Sequence, residues 1–237
     1  MNHPSKVAIV TGAGSGIGAA TALRLAATGW SLALAGRDRK KLKATGEAAA
    51  AAGAPEVLIQ PTDVSKPSAC KRLIAAVEKR FSRIDALANV AGHAEMMSIA
   101  QTSDAAWEKA FAVNVDGAFY LTRACWGQLA RQESGVIVNV SSMASIDPFP
   151  GFAAYASAKA ALNMFTTITA REGAEVGVTA VAIAPGAVET PMLRALFSPR
   201  QISPTQTLAP AAVARVIVDC IIGKRVFTSG QIIQVNP

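Results

Sequence analysis

The stretch that decides the fold runs from Val7 to Gly18 and reads VAIVTGAGSGIG. It begins with a short β-branched run, places four glycines in its last seven positions, and leads into a helical pattern with Ile17, Thr21 and Leu25 four residues apart. Glycine permits positive φ angles and a close backbone approach to a ligand, and a helix N-terminus offers free amides and partial positive charge to a phosphate. The stretch therefore predicts a strand, a tight turn and a helix that together bind a dinucleotide. The alternative, a tight turn without a ligand, does not explain the number of glycines.

The alternation of short apolar runs with longer helical patterns continues along the chain. It predicts strands at 7–10, 31–35, 57–60, 86–90, 136–140, 178–184 and 232–235, and helices near 16–28, 38–52, 66–82, 103–132, 153–174 and 209–222. Most of the strands are continuously apolar, which is typical of strands buried on both faces of a parallel sheet. We therefore predict an α/β fold: a Rossmann-type doubly wound parallel sheet of about seven strands with helices on both faces, and with ligands at the carboxyl ends of the strands.

The composition of the chain narrows its class. Of the 237 residues, 51% are hydrophobic and 16% are charged, which excludes a disordered chain and favours one catalytic domain over 1–237. The longest apolar stretches are broken well before the ~20 residues of a membrane span, and the N-terminus lacks the features of a secretory signal. Cys70, Cys125 and Cys220 have no metal-ligand spacing. We therefore expect a cytoplasmic protein with no metal site and no membrane association.

The formal net charge of +7 is compatible with a nucleic acid, a membrane surface or an anionic ligand as partner. The densest basic cluster, from Arg37 to Lys43, has no interleaved aromatic residues that could stack on bases. We therefore expect no nucleic-acid partner.

The glycines also carry a family resemblance. Gly12, Gly16 and Gly18 have G-x-x-x-G-x-G spacing rather than the G-x-G-x-x-G of other dinucleotide folds. The motifs that follow in order are Asp63-Val64, Asn89-Val90-Ala91-Gly92, Asn114-Val115, Ser142, Tyr155-Ala156-Ser157-Ala158-Lys159, and Pro185-Gly186 with Thr190. With these motifs the chain resembles a short-chain dehydrogenase/reductase from Lys6 to nearly its last residue. The resemblance implies an NAD(P)-dependent oxidoreductase that acts on CH–OH or C=O groups.

The resemblance implies a set of cofactor contacts. They are Gly12, Ser15, Gly16, Ile17, Gly18, Arg37, Asp63, Val64, Asn89, Ala91, Gly92, Tyr155, Lys159, Pro185, Gly186, Val188 and Thr190. Asp63 would accept a hydrogen bond from the adenine amino group. The alternative is a turn residue, which is disfavoured because Ser65 and Pro67 are expected to supply the cap and the first turn of the next helix. The 89–92 stretch would form the floor beneath the adenosine ribose, although Val90 stands where the family usually has a second asparagine. The 185–190 segment would wrap the nicotinamide amide.

The end of the second predicted strand bears on which nicotinamide cofactor is used. An acidic residue there would accept hydrogen bonds from a free ribose 2′-hydroxyl, but Gly36 occupies the place and Arg37 follows. A guanidinium can pair with a 2′-phosphate, and in this family the pattern implies NADP(H). The alternative is NAD(H), with Asp38 turned towards the ribose.

The expected catalytic residues are Asn114, Ser142, Tyr155 and Lys159. Tyr155 and Lys159 are four apart on a helical segment and share one face. A nearby ammonium and an oxidised nicotinamide would favour the phenolate of a tyrosine whose ordinary pKa is near ~10. Ser142 lies thirteen residues before the tyrosine, as in the family, and is favoured over Ser141 for steadying the substrate oxygen. Asn114 resembles the fourth catalytic residue of the family, whose backbone carbonyl holds a water molecule beneath the lysine.

Three readings of the function follow. The leading one is hydride transfer between NADP(H) and a carbonyl or secondary alcohol, with Tyr155 as general acid/base and Ser142 stabilising the alkoxide. The competing enzyme is a 3-oxoacyl-thioester reductase, since a basic surface could recruit an acyl carrier protein or a coenzyme A thioester. A noncatalytic dinucleotide sensor is the third, and it would have no use for the catalytic set.

We expect three loops, at 93–99, 143–154 and 192–208, to determine the substrate specificity. The last contains two prolines and no strong periodicity, so we expect a mobile lid there. Apolar residues in these loops could shape a pocket for a hydrocarbon-flanked carbonyl; they are Met143, Phe149, Phe152, Met192, Leu193, Leu196 and Phe197. His93 either touches the substrate or faces solvent, and a solvent-facing position is favoured.

Two predicted helices carry apolar residues on more than one side. These residues are Trp107, Phe111, Phe119 and Trp126 on 103–132, and Ala160, Ala161, Met164 and Phe165 on 153–174. Relatives pair these helices across a two-fold axis, so we expect a homotetramer of dihedral symmetry or a dimer. Coverage of these faces by loops of the same chain is the alternative.

Overall fold

The computed structural model describes residues 5–236. In chain order the elements are β1 Val7–Thr11, α1 Gly16–Ala26, β2 Ser31–Gly36, α2 Arg39–Ala51, β3 Val57–Pro61, α3 Pro67–Phe81, β4 Ala86–Asn89, α4 Asp104–Phe111, α5 Gly117–Gln132, β5 Gly135–Val140, α6 Ala153–Gly173, β6 Val178–Pro185, α7 Pro191–Leu196, α8 Pro210–Ile221 and β7 Ile232–Val235. The strands form one parallel sheet of order β3-β2-β1-β4-β5-β6-β7. The predicted doubly wound fold is thereby confirmed.

Both faces of the sheet are buried, as the continuously apolar strands require. Ala8 and Val10 of β1 belong to the core beneath α1 and α8, whereas Val7 and Ile9 belong to the core beneath α3 and α5. Successive side chains of a strand point to opposite faces, so a strand covered by helices on both sides has no polar alternation. The strand order reverses between β1 and β4, which opens a crevice at the carboxyl edge where this fold binds ligands.

Two predicted segments differ from what the structure shows. The helix predicted over 103–132 is divided, because a π-helical turn over 112–116 separates α4 from α5. The segment 192–208, predicted as irregular, contains most of α7 and a 3₁₀ turn at Pro204–Gln206. Of the two prolines in this segment, Pro204 begins the 3₁₀ turn, since proline suits the first helical position.

Within residues 5–236, no helix combines the length and the apolar character needed to span a bilayer. Over the same residues, no three histidine, cysteine or acidic side chains lie close enough together to ligate a metal ion.

Candidate active site

A cavity of about 870 Å³ opens at the carboxyl edge of the sheet. Of the residues proposed from the sequence, those that line it are Gly12, Ser15, Gly16, Ile17, Gly18, Arg37, Asp63, Val64, Ala91, Gly92, Ser142, Tyr155, Lys159, Pro185, Gly186, Val188 and Thr190. Asn89 and Asn114 lie behind its wall. The cavity is therefore continuous from the glycine turn to the predicted catalytic residues.

The glycine turn has a geometry that only glycine allows. Gly12 and Gly16 have φ angles of +64° and +52°, in the region that side chains disfavour. A Cβ atom on Gly18 would overlap the carbonyl oxygen of Gly12, so α1 can start against the turn only if this residue is glycine. Ser15 makes no side-chain cap and the first turn of α1 has no acidic residue. The N–H groups of this helix end are thus left for an anion, which fits a pyrophosphate.

The end of β2 is positively charged on its cavity side. Oδ1 of Asp38 accepts hydrogen bonds from the backbone N–H groups of Lys40 and Lys41, at 2.9 and 3.1 Å. This carboxylate is the N-cap of α2, an arrangement that holds it at the helix end. Arg37 is exposed, and no residue among 5–236 forms an ion pair or hydrogen bond with its guanidinium. Arg37 and Lys41 both line the cavity.

Asp63 is positioned by a local turn. Its Oδ1 accepts hydrogen bonds from the backbone N–H and the hydroxyl of Ser65, at 3.0 and 2.7 Å. The expectation that Ser65 caps the next helix is wrong, because Lys66 is the residue before α3 and no side chain caps that helix. Ser65 instead fixes the carboxylate. Within the described chain the other oxygen of Asp63 accepts no hydrogen bond, which leaves it for a ligand.

Asn89 is not among the residues that line the cavity, and its expected place in the floor beneath the ribose stays a prediction. The Asn89 side chain is buried and donates to Oδ1 of Asn139 at 2.8 Å, and Asn139 in turn donates to Thr166 at 2.9 Å. This chain of buried polar groups ties β4 and β5 to α6. The floor beside it is set by Thr11, whose hydroxyl accepts from the backbone N–H groups of residues 90 and 91.

Ser142, Tyr155 and Lys159 meet beyond the end of β5. Tyr155 lies in the first turn of α6, and Lys159 lies one turn later with its Nζ 5.8 Å from the tyrosine ring centroid. Nζ donates to the carbonyl oxygen of Val140 at 2.7 Å, and the Ser142 side chain lies close enough to the Tyr155 hydroxyl to favour its phenolate form. Ser141 points elsewhere, since its hydroxyl donates to the carbonyl of Lys159 at 3.3 Å. The geometry thus places Ser142, rather than Ser141, beside the tyrosine.

Burial governs the electrostatics of this pair. It raises the pKa of Tyr155 above its usual value, and the hydrogen bond from Ser142 offsets only part of the rise. It lowers the pKa of Lys159 to about 7, because an ammonium is poorly solvated in a buried position. Without the cofactor, burial therefore disfavours both the phenolate and the ammonium. The expected tuning of Tyr155 by Lys159 stays a prediction for the cofactor-bound protein.

Asn114 lies in the π-helical turn and clamps the loop after β4. Its Nδ2 donates to the carbonyls of His93 and Ala110, at 2.7 and 2.8 Å, and its Oδ1 accepts from the N–H of His93 at 3.2 Å. A Cβ atom on Gly92 would lie 3.1 Å from this Oδ1 and 3.6 Å from Nζ of Lys159. Asn114 and Lys159 thus both border Gly92. π-Helical turns are frequent at functional sites, and no sequence pattern predicted this one.

The comparisons with known proteins agree with this geometry. The family model described as short chain dehydrogenase matches residues 6–201. The chain belongs to the short-chain dehydrogenase/reductase family. It is 34% identical over 209 residues to an uncharacterized oxidoreductase of Staphylococcus epidermidis, covering 88% of this chain and 89% of that protein. It is 36% identical over 188 residues to a 3-oxoacyl-[acyl-carrier-protein] reductase of Synechocystis sp., covering 79% and 76%.

Solved structures of this family are similar over almost the whole chain. A variant of actinorhodin polyketide ketoreductase with NADPH has a TM-score of 0.92 at 27% identity, covering 100% of this chain and 98% of that one. The 3-ketoacyl-(acyl-carrier-protein) reductase of Brucella melitensis complexed with NADH has a TM-score of 0.90 at 25% identity, covering 98% and 96%. The protein is thus a short-chain dehydrogenase/reductase in sequence and in fold, and it is an oxidoreductase.

In this short-chain dehydrogenase/reductase, the side chain of His93 forms a hydrogen bond with a nearby carboxylate on the substrate side of the cavity. Its Nε2 lies 2.9 Å from Oε1 of Glu95, and the same oxygen accepts from Nζ of Lys109 at 2.8 Å. These bonds lower the pKa of Glu95, with Lys109 as the main cause. His93 and Lys109 both line the cavity, and the His93 side chain is 23% exposed, so whether it faces the substrate or solvent stays a prediction.

The segment after β6 is held by a buttress that sequence reasoning missed. The guanidinium of Arg194 forms a two-pronged ion pair with Glu189, and it donates to the carbonyl of Ile202 at 2.8 Å and to that of Phe197 at 3.4 Å. Glu189 also accepts from the hydroxyl of Thr207 at 3.2 Å. Arg194 therefore links the start of this segment, at Glu189, to residues 197 and 202 further along it. The sequence contained one signal for this ion pair: a glutamate lies just before α7 and an arginine lies within that helix.

Proposed function

We propose that the protein is an NADP(H)-dependent carbonyl reductase or alcohol dehydrogenase. The observation that carries the proposal is the meeting of Ser142, Tyr155 and Lys159 in a cavity continuous with the glycine turn. The bound cofactor would supply or accept the hydride. Tyr155 gives the substrate oxygen its proton, or takes it in the reverse direction, while the Ser142 hydroxyl donates a hydrogen bond to that oxygen as negative charge develops.

The residues that would hold the cofactor follow the cavity. The N-terminus of α1 would bind the pyrophosphate, and Asp63 and Val64 would flank the adenine. Lys159 would bind the nicotinamide ribose hydroxyls, and the 185–190 segment would bind the carboxamide. A relative with NADPH and another with NADH have folds that match along nearly the full chain, which supports a nicotinamide dinucleotide here.

The preference for NADP(H) rests on charge at the end of β2. Arg37 is unpaired among the described residues, and Asp38 is engaged as the α2 cap. The cap therefore competes with any hydrogen bond that Asp38 would accept from a free 2′-hydroxyl, whereas Arg37 and Lys41 are available to a 2′-phosphate. NAD(H) remains the alternative cofactor.

Replacing Arg37 by alanine tests this preference. A charge-assisted hydrogen bond is worth roughly 1.5 to 3 kcal/mol, so the Kd for NADPH is expected to rise by about 10- to 100-fold while that for NADH changes little. Fluorescence titration of both cofactors measures the effect. Arg39→Ala is the matched control, because Arg39 is exposed in the first turn of α2 and does not line the cavity. Equal weakening of both cofactors by Arg37→Ala would contradict the 2′-phosphate assignment.

A second candidate function is reduction of a 3-oxoacyl thioester. The Synechocystis relative carries that activity in its name, and the net charge of +7 suits an acidic carrier. Steady-state rates with NADPH and NADH on free ketones, aldehydes and acetoacetyl-coenzyme A separate the two functions. Faster turnover of free carbonyl compounds is the expected result, and a strong preference for the thioester would overturn the leading proposal.

We further propose that the 192–208 segment acts as a lid over the substrate. It follows the cofactor-binding segment directly, and Met192, Leu193, Leu196 and Phe197 line the cavity. The contacts of Arg194 with Glu189 and with two backbone carbonyls give the segment a defined shape, which suits an element that orders as one unit.

We propose a reducing cytoplasm as the location, on the basis of the cysteines. All three are unpaired and buried. Burial raises the pKa of Cys125 to about 12 and that of Cys70 and Cys220 to about 11. The reactive thiolates therefore scarcely form, and the cysteines serve as small apolar core residues.

We also propose that the chain forms a dimer or tetramer through α5 and α6. Phe119 of α5, and Met164 and Ile168 of α6, are 39%, 63% and 41% exposed. A contiguous apolar surface of this kind commonly marks an interface between protein chains. Ala161 is only half-buried beside them, so Met164 is the better position for a disruptive charge.

Met164→Glu is expected to weaken this assembly, because an unpaired carboxylate would be buried in the interface. The variant oligomer should then dissociate at a protein concentration at least about tenfold higher than the wild-type oligomer does. Light scattering after size-exclusion chromatography measures the mass, with Ala44→Glu on the exposed face of α2 as the control. A wild-type mass near the 24.4 kDa of one chain at micromolar concentration would remove the oligomer proposal.

A further inference from the structure

Three phenylalanine rings form a cluster on the substrate side of the cavity. Phe149 and Phe152 belong to the loop after β5, and Phe197 belongs to the segment after β6. The ring centroid of Phe149 lies 4.8 Å from that of Phe152 and 6.2 Å from that of Phe197. Phe152 lies 6.2 Å from Phe197. All three rings line the same cavity as Tyr155.

The cluster starts at the reacting group. The ring of Phe152 is 5.5 Å from the ring of Tyr155, and Phe149 and Phe197 form the next layer outward. A substrate whose carbonyl oxygen meets Tyr155 and Ser142 therefore places the atoms next to the carbonyl against these rings. Aromatic rings at 4.5 to ~7 Å pack edge-to-face or offset, so a six-membered ring can join the cluster at the spacing its members already have.

Burial within the cluster is uneven. Phe152 is 4% exposed and forms the base, whereas Phe149 is 49% exposed. Phe149 is thus held on one side by Phe152 and Phe197, and much of its surface is open to solvent. Covering it with an apolar group is favourable. Arg194 donates a hydrogen bond to the backbone carbonyl of Phe197, which helps to hold that side of the cluster in place.

The charges around the cluster disfavour an anionic substrate group. Lys109 is paired with Glu95 and Arg194 with Glu189, so neither cation is free for a carboxylate or phosphate. Asp147 lines the cavity and is exposed, and no side chain among the described residues pairs with it. A carboxylate or phosphate near the ring would therefore meet an unpaired negative charge.

We propose that the substrate is an uncharged cyclic or aryl ketone, or the corresponding alcohol, with its ring packed on Phe149, which determines the specificity. This inference rests on the proposed function. Reduction transfers a hydride from NADPH to the carbonyl carbon and a proton from Tyr155 to the oxygen, giving the secondary alcohol and NADP⁺. In a cyclic ketone only the carbonyl carbon of the ring is reduced, and an aromatic ring beside the carbonyl is unchanged and serves for recognition.

The test compares three probes with NADPH: tetralone, a straight-chain methyl ketone with the same number of carbons, and acetoacetyl-coenzyme A. We expect kcat/KM to be at least about tenfold higher for tetralone than for either of the others. Phe149→Ala should lower kcat/KM for tetralone by about 10- to 100-fold, and by a factor at least about threefold larger than the loss for the straight-chain ketone. Phe149→Trp should retain the preference for the ring, and Ile146→Ala, an exposed apolar residue of the same loop outside the cavity lining, should leave it unchanged.

The outcomes separate this inference from the proposed function. Turnover of the straight-chain ketone or the thioester with equal or higher kcat/KM would overturn the ring preference while leaving a carbonyl reductase in place. Equal losses for both ketones in Phe149→Ala would overturn the specificity role of that residue. Failure to reduce any carbonyl compound would overturn both.

Discussion

The Tyr155→Phe protein is expected to lose turnover by about 10²- to 10⁴-fold. The substitution keeps the aromatic ring, and with it the contact with Phe152, but removes the hydroxyl that would exchange a proton with the substrate. Because the ring and the backbone of α6 are retained, the Kd for NADPH should change by less than about threefold. Steady-state kinetics on the best substrate of the carbonyl panel, together with a cofactor titration, measure both quantities.

Tyr120→Phe is the matched control for this experiment. Tyr120 is the other tyrosine of the chain; it is half-buried on α5 and does not line the cavity. Its loss should leave turnover within about twofold of the wild type. If Tyr155→Phe retained more than about a tenth of the activity, Tyr155 would not be the general acid. If no activity of the protein depended on Tyr155, a noncatalytic dinucleotide sensor would be the better description.

The architecture could be predicted because its signals are local and repeated. The largely apolar runs at 7–10 and 178–184 indicate strands buried on both faces, and both were placed to within one residue at either end. The glycine turn was equally predictable, since the close approach of Gly18 to Gly12 is encoded in a few consecutive residues. Catalytic residues on one helix, such as Tyr155 and Lys159, needed only the helical period to be placed together.

What could not be predicted depends on contacts between distant segments. Asn89 reads as a cofactor contact by its motif, yet its side chain turns to Asn139, which is its neighbour only after β4 and β5 pair. The contacts of His93 and Lys109 with Glu95 require α4 to pack beside that loop. The pKa of Lys159 depends on its complete burial, and a sequence pattern does not specify how much water remains around a side chain.

Lys159→Met is expected to make the cofactor-free protein more stable, although it should abolish most activity. Burial lowers the pKa of Lys159 to about 7, whereas an unfolded lysine titrates near ~10.4. Between these values the unfolded chain binds more protons than the folded chain, so the free energy of unfolding of the wild type rises with pH. Methionine carries no charge and removes this dependence.

Near neutral pH, Lys159→Met should therefore exceed the wild type in free energy of unfolding by roughly 2 to 4 kcal/mol, less about 1 kcal/mol for the lost hydrogen bond to Val140. The advantage should shrink as the pH approaches ~10. Urea denaturation across this range, without cofactor, measures it, with Lys79→Met on the exposed face of α3 as the control. A Lys159→Met protein whose stability follows the same pH curve as the wild type would show that the lysine keeps its ordinary pKa. In that case the ammonium would be present throughout, and the cofactor would not be needed to restore it.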